Sequence, residues 1–255
     1  MEPDAPRDPD AQWWHDHYDW AVGEVLDFVG GAGATLQGAT VADIGCGDGI
    51  IDLGLAVRAE PARLVGYDLR VTDTATLLER SRRHGGPAEL PGNLEFAATE
   101  PLRIPAADAA YDAVVTWSAF EHVRDPVAVL REVRRVLRPG GFLFLQLWPF
   151  YHSERGSHLW DWFPEGYHHL DRSEEEIAEA MRASDRQERL EYMLGEYRTL
   201  NRIDLDGLQR ALLAGGLGVT QLELVSHRVM IPPRLMRYPL SQLGIGGVKL
   251  LATPL

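Results

Sequence analysis

Residues 41 to 49 read VADIGCGDG, and no other stretch of the chain restricts its fold as tightly. A short apolar run ends at Asp43, glycine recurs at Gly45, Gly47 and Gly49, and a helix-like segment follows until Glu60-Pro61 stops it. Glycines at a strand-to-helix turn let the backbone approach a ligand without a Cβ in the way, beside the partial positive charge of a helix N-terminus. By itself, G-x-G describes a tight turn as well as it describes a binding site. The spacing here is G-x-G-x-G, with Ile50 where a dinucleotide site would carry its third glycine. Asp43 just before the turn suits a cation or an amine better than a pyrophosphate. The next strand ends at Asp68, 19 residues after Gly49, where a carboxylate can accept hydrogen bonds from ribose hydroxyls. Together these residues describe an adenosine with a cationic or zwitterionic tail and no phosphate.

The same strand-then-helix pattern repeats along the chain. RLVGYDL, NLEFAA, YDAVVTWSAF and GFLFLQLW read as strands two to five. Helices are expected over residues 12–30, 72–84 and 125–137, closed by glycine or proline. Near-continuous apolar strands alternating with helices predict an α/β fold, a mostly parallel sheet with helices on both faces. VTQLELVS and GGVKLLAT add two strands after a helix in DLDGLQRALLAGGL, which makes seven. Residues 1–11, acidic and proline-rich, read as a disordered tail, and residues 12–255 as one domain.

Composition narrows the function classes. A formal net charge of −13 repels phosphate backbones and disfavours a nucleic-acid substrate. Cys46 is the one cysteine, compatible with a reducing cytosol. The N-terminus lacks the basic and apolar start of a signal peptide, and no apolar run approaches the roughly 18–20 residues of a membrane span. A cytoplasmic location is the expectation. No feature of the sequence sets an oligomeric state.

VADIGCGDG, GYDL and the run FAATEPLRIPAADAAYDAVVTWSAFEHVRDPVAVLREVRRVLRPGGFLFLQ resemble the class I S-adenosylmethionine-dependent methyltransferases, within them the small-molecule group whose fourth strand is followed by Glu-His. The resemblance covers residues 40–147 and extends to the last two strands. It implies a Rossmann-like seven-stranded sheet and S-adenosyl-L-methionine as cofactor, with S-adenosyl-L-homocysteine as product. It places the backbone of Gly45, Cys46, Gly47 and Gly49 beside the methionine moiety and Asp43 near its amine. Asp68 would hold the ribose and Leu69 would pack on adenine. Glu100 and Pro101 stand where the family has an Asp-Ala pair around the adenine amino group. Trp117 and Ser118 would line the cleft beneath the sulfonium. Members with different acceptors share the histidine matching His122, which favours a turn-fixing role there over that of a base.

Residues 149–200 fit no part of the alternation and are expected to form a helical lid inserted after strand five. PFYHSERGSHLWDWFPEGYHHLD carries four of the nine histidines and two of the seven tryptophans, and a capping box follows at Ser173 and Glu176. One reading is a substrate pocket in which His158, His169 or His152 acts as base; another is an aromatic lid core with hydrogen-bonded histidines. A metal site ranks third and none is expected. The spacings match no ligand motif such as H-E-x-x-H, although His158 with Asp161 would supply two donors. Trp14, His17 and Tyr18 either cover the cofactor or simply pack an amphipathic helix. The expected function is methylation of a small-molecule acceptor, with a hydroxyl on a sugar or secondary metabolite favoured. N-methylation of a small amine, a nucleotide-dependent oxidoreductase and a non-catalytic cofactor-binding protein are the alternatives.

Overall fold

The computed structural model describes residues 8–255. The expected tail therefore lies outside the described residues as far as residue 7, and from Pro9 onward the chain is helical. Helix α1, Pro9–Trp14, is capped by the Asp8 carboxylate and begins with proline, whose missing N–H needs no partner there. It continues through a π-helical stretch, His15–Ala21, into α2, Val22–Gly31.

Seven strands follow in one sheet: β1 Thr40–Ile44, β2 Arg63–Asp68, β3 Leu94–Ala98, β4 Tyr111–Trp117, β5 Leu137–Leu147, β6 Leu217–Val225 and β7 Gly247–Pro254. Their order is β3-β2-β1-β4-β5-β7-β6, parallel from β3 through β5, with β7 antiparallel to both β5 and β6. The seven-stranded, mostly parallel sheet expected from the sequence is present.

Side-chain alternation distributes the strands between two cores. Val41, Ala113, Val115 and Phe144 point to one face, where α2, α3 (Ile50–Arg58) and Leu77 of α4 (Thr74–Arg83) cover them. Ala42, Val114, Leu143 and Leu145 point to the other, against α5 (Pro126–Val136) and α8 (Leu205–Ala214). The period of two in the strands thus becomes a three-layer sandwich. Sharp stops and starts set the layers: Asp73, Asp125 and Asp204 each accept N–H bonds at the head of their helix.

The lid forms a third core. Helix α6, Glu174–Arg182, opens with the expected capping box, in which Ser173 and Glu176 exchange bonds of 3.2 and 2.7 Å. Helix α7 spans Leu190–Thr199. Leu159, Phe163, Tyr167, Ile177, Met181 and Leu194 pack together, and Leu235 and Leu243 join them from the connection between β6 and β7. The lid is therefore built from two separate excursions, whereas the sequence suggested residues 149–200 alone. Helix α9, Leu240–Leu243, belongs to the second excursion. Among the described residues no helix is long and apolar enough to cross a membrane.

Burial separates critical positions from tolerant ones. Leu145→Ala empties a fully buried position in the central strands, so urea denaturation should show a loss of about 2–5 kcal/mol. Leu222→Ala, half-exposed on edge strand β6, should change stability by less than about 0.5 kcal/mol.

Candidate active site

The order β2-β1-β4 reverses the direction of winding at β1, and the carboxyl ends of β1 and β4 flank the resulting crevice. The glycine turn fills its floor. Gly45 has φ +83°, and a Cβ added there would lie 2.4 Å from the Cβ of Ala119, on the turn after β4. Gly47 is also left-handed, at φ +54°, but nothing lies within 4 Å of its missing Cβ. One glycine admits the neighbouring strand end and the other leaves free space beside its backbone. The N–H groups of Gly45 and Cys46 donate to the Tyr67 carbonyl at 2.8 and 3.2 Å, and that of Gly47 donates to the Asp68 carboxylate at 3.0 Å. Cys46 Sγ lies 3.5 Å from Thr72 Oγ1, and burial pushes its thiol up, away from any nucleophilic role.

Asp43 and Asp52 lie beneath the turn, 3% and 0% exposed. Burial raises Asp43 to about 7, and burial together with the Asp43 charge raises Asp52 well above its ordinary value. Both Asp52 oxygens and one Asp43 oxygen have no donor among the described residues. Burial and the mutual repulsion of the two carboxyls favour retention of a proton by the pair. Asp52 was missed by the sequence reading, although a charge in the apolar run GIIDLGLAV was a visible anomaly.

The other expected cofactor residues frame the same end of the sheet. The Thr99 N–H donates to the Asp68 carbonyl at 2.8 Å, which brings exposed Glu100 and Pro101 alongside the end of β2. Leu69 is 61% exposed, an apolar surface beside Asp68. Trp117 stacks on Phe144 and meets the edge of Trp20 at 5.6 Å. Ser118, at φ +45°, directs its N–H and its hydroxyl to Gln146 Oε1, both at 2.8 Å. The Trp13 indole donates to Asp48 in the glycine turn at 2.9 Å. Trp14 is buried in the core and Tyr18 stacks on it, so Trp13 and Trp20 face the crevice in their place. A surface cavity at the opposite end of the sheet, lined by Asp108, Arg134, Gly140 and Leu255, holds none of these residues.

Of the lid histidines expected as bases, the structure brings His158 to the turn after β4. Its ring meets His122 edge-on at 5.4 Å, and its Nε2 is buried without a partner among the described residues. His169 instead gives its Nε2 to the Tyr151 carbonyl, and His152 packs between Tyr151 and Tyr238. Burial lowers all three, His158 to about 3 and His169 to about 4. That is far from the near-neutral value at which a general base works best. Glu121 is 4% exposed, neither of its carboxylate oxygens has a partner among the described residues, and burial raises it to about 8. His122 Nδ1 lies 2.7 Å from Thr199 Oγ1, at the end of the lid.

Comparison with known proteins matches residues 14–186 to a methyltransferase domain family. Curated relatives include ubiquinone biosynthesis O-methyltransferases. That of Xanthomonas oryzae pv. oryzae is 34% identical over 121 residues, 47% of each chain. That of Xylella fastidiosa is 31% identical over 138 residues, 52% of this chain and 53% of the relative. The chain thus spans about half the length of the curated relatives it matches. Among solved structures, a geranyl diphosphate methyltransferase in complex with S-adenosylmethionine superposes with TM-score 0.60 at 14% identity, covering 98% of this chain and 93% of that one. The [4+2]-cyclase SpnF gives 0.57 at 18% identity, covering 99% and 84%. At such identities the likeness is one of fold.

The buried acid pair has a measurable signature. A carboxyl with a folded pKa above its unfolded value holds its proton more tightly when folded. Its stabilising contribution is full below about pH 4 and is lost as pH rises through about 7. One such proton changes stability by about 1.4 kcal/mol per pH unit in that window. Asp52→Asn provides Asp43 with a permanent N–H donor, so urea denaturation between pH 4.5 and 7.5 should give a flatter pH dependence than the unaltered chain. Equal slopes would disprove the shared proton.

Proposed function

The chain belongs to the class I S-adenosylmethionine-dependent methyltransferases, and from that premise we propose that it methylates a hydroxyl group of a small molecule, such as a sugar or secondary metabolite, in the cytoplasm. The observation that carries the cofactor assignment is the pairing of Gly47, with free space where a Cβ would stand, and the Asp68 carboxylate it donates to, next to the buried Asp43. That combination suits an amine and a ribose. Arg80, whose guanidinium reaches the turn, is committed to Asp10 and Asp48, which leaves it poorly placed for a pyrophosphate.

S-adenosylmethionine brings an activated methyl group, so the protein's contribution is binding, orientation and exclusion of water. In this reading the backbone of Gly45, Cys46, Gly47 and Gly49 adjoins the methionine part and Asp43 faces its amine. Asp68 binds the ribose hydroxyls, Leu69 covers one face of adenine, and Glu100 and Pro101 border its amino edge. Trp117 and Ser118, fixed by Phe144 and Gln146, form the wall beneath the methyl group. The lid supplies the acceptor side: Trp148 and Trp160 lie 5.9 Å apart there, and His158 reaches the turn after β4. The hydroxyl preference draws support from the curated relatives, which are O-methyltransferases. The acidic net charge speaks against nucleic acid as acceptor.

Calorimetry should show S-adenosylhomocysteine binding and no comparable NAD binding; the reverse would overturn the cofactor assignment. Charged hydrogen bonds contribute about 1.5–3 kcal/mol each, so Asp68→Ala should weaken S-adenosylhomocysteine about 10- to 100-fold. Methyl-labelled cofactor offered to hydroxyl and amine acceptors should leave its label on oxygen; label on nitrogen alone would replace the hydroxyl reading with an amine one.

A further inference from the structure

We infer that Glu121, His122 and His158 bind a divalent transition-metal ion on the acceptor side of the crevice. Each offers one ligand atom, and the three atoms lie within 4.8 Å of one another although the residues come from two separate stretches of chain. Among the described residues neither Glu121 oxygen nor the His158 Nε2 has a hydrogen-bond partner, and all three atoms are buried. Burying polar atoms unpaired costs on the order of 1–3 kcal/mol apiece, so a native structure retains such a group for a reason. A cation among the three ligand atoms, one from each residue, gives the buried groups a partner. Among the described residues no hydrogen bond does so.

The surroundings of His122 point the same way. Thr199 donates its hydroxyl hydrogen to the Glu196 carbonyl at 2.8 Å, so its oxygen accepts from His122 Nδ1–H at 2.7 Å. This fixes the tautomer in which Nε2 carries a free lone pair, as an outer partner does for a ligating histidine. The Glu196 carboxylate lies 3.7 Å from that Nε2 and adds negative charge. Asn201 holds the turn rigid: its side-chain amide donates to the Phe120 and Val123 carbonyls and its backbone N–H to the Glu121 carbonyl, at 2.8–2.9 Å. Both ends of the first lid excursion, His158 and Thr199–Asn201, therefore converge on this one turn.

Two imidazoles and one carboxylate are donors that suit zinc or a similar ion rather than magnesium, which favours all-oxygen ligation. Three protein ligands leave a coordination position for an acceptor oxygen. For its purpose, though not for its detection, this site rests on the methyl-transfer reading. An acceptor hydroxyl on the ion gives up its proton to water more readily. The oxygen then forms its bond to the methyl carbon as the carbon–sulfur bond breaks, and neutral S-adenosylhomocysteine departs.

The test is calorimetric titration of zinc chloride into the full chain after chelator treatment, without cofactor or acceptor. One equivalent should bind with micromolar affinity or tighter. His158→Ala and the near-isosteric Glu121→Gln should each weaken it by at least 10-fold. Substitution by cobalt should produce the visible absorption of a low-symmetry site, lost in both variants. S-adenosylhomocysteine titration of the same samples reports folding and tests the cofactor assignment separately. Zinc bound equally by the unaltered chain and Glu121→Gln, or not bound at all, would overturn the metal site while leaving the cofactor assignment standing. Zinc binding without S-adenosylhomocysteine binding would do the opposite.

Discussion

The contact between Gly45 and Ala119 leaves no room for a single added methyl group, and the geometry of the crevice depends on it. Because the turn after β1 carries no side chain there, the turn after β4 rests directly upon it. That closeness places Ser118 where Gln146 can hold it and starts the short helix Phe120–His122 at the mouth of the crevice. The turn after β1 and the turn after β4 are therefore parts of one junction. A bulkier residue at position 45 would separate the two strand ends whatever it did to ligand contacts.

Much of this end of the sheet was legible in the sequence because its determinants are local. Strand-to-helix turns announce themselves by glycine and by the acids at strand ends, and buried parallel strands by continuous apolar runs. Asp68, the Ser173–Glu176 capping box and the paired lid helices are features of that kind. What escaped depends on contacts between distant segments. Leu235 and Leu243 look like ordinary loop residues until the lid closes over them. His152, His158 and His169 are indistinguishable by type and spacing, and the left-handed backbone at His158, φ +63°, is among the features that set it apart. Helix α1 began earlier than expected because Asp8 and Pro9, read as tail composition, act as a cap and a first turn.

Charge is distributed with the same economy. The surface is strongly acidic, yet the acids nearest the crevice fall into two groups. Asp48 and Asp10 are matched by Arg80, whereas Asp43, Asp52 and Glu121 are buried without a cation among the described residues. In the proposed readings these acids receive positive charge, the cofactor amine at the glycine turn and a metal ion at the turn after β4.

The lid core shares no residue with the two cores that sandwich the sheet. Interaction energies decouple between side chains that do not touch. Substitutions among these lid core side chains therefore repack apart from the sheet cores, and His158, Thr199 and Asn201 are where the lid is tied to the turn after β4. If the lid holds the acceptor, as proposed, a chain so partitioned can vary its acceptor through changes in the lid core while the apolar cores under the glycine turn stay as they are.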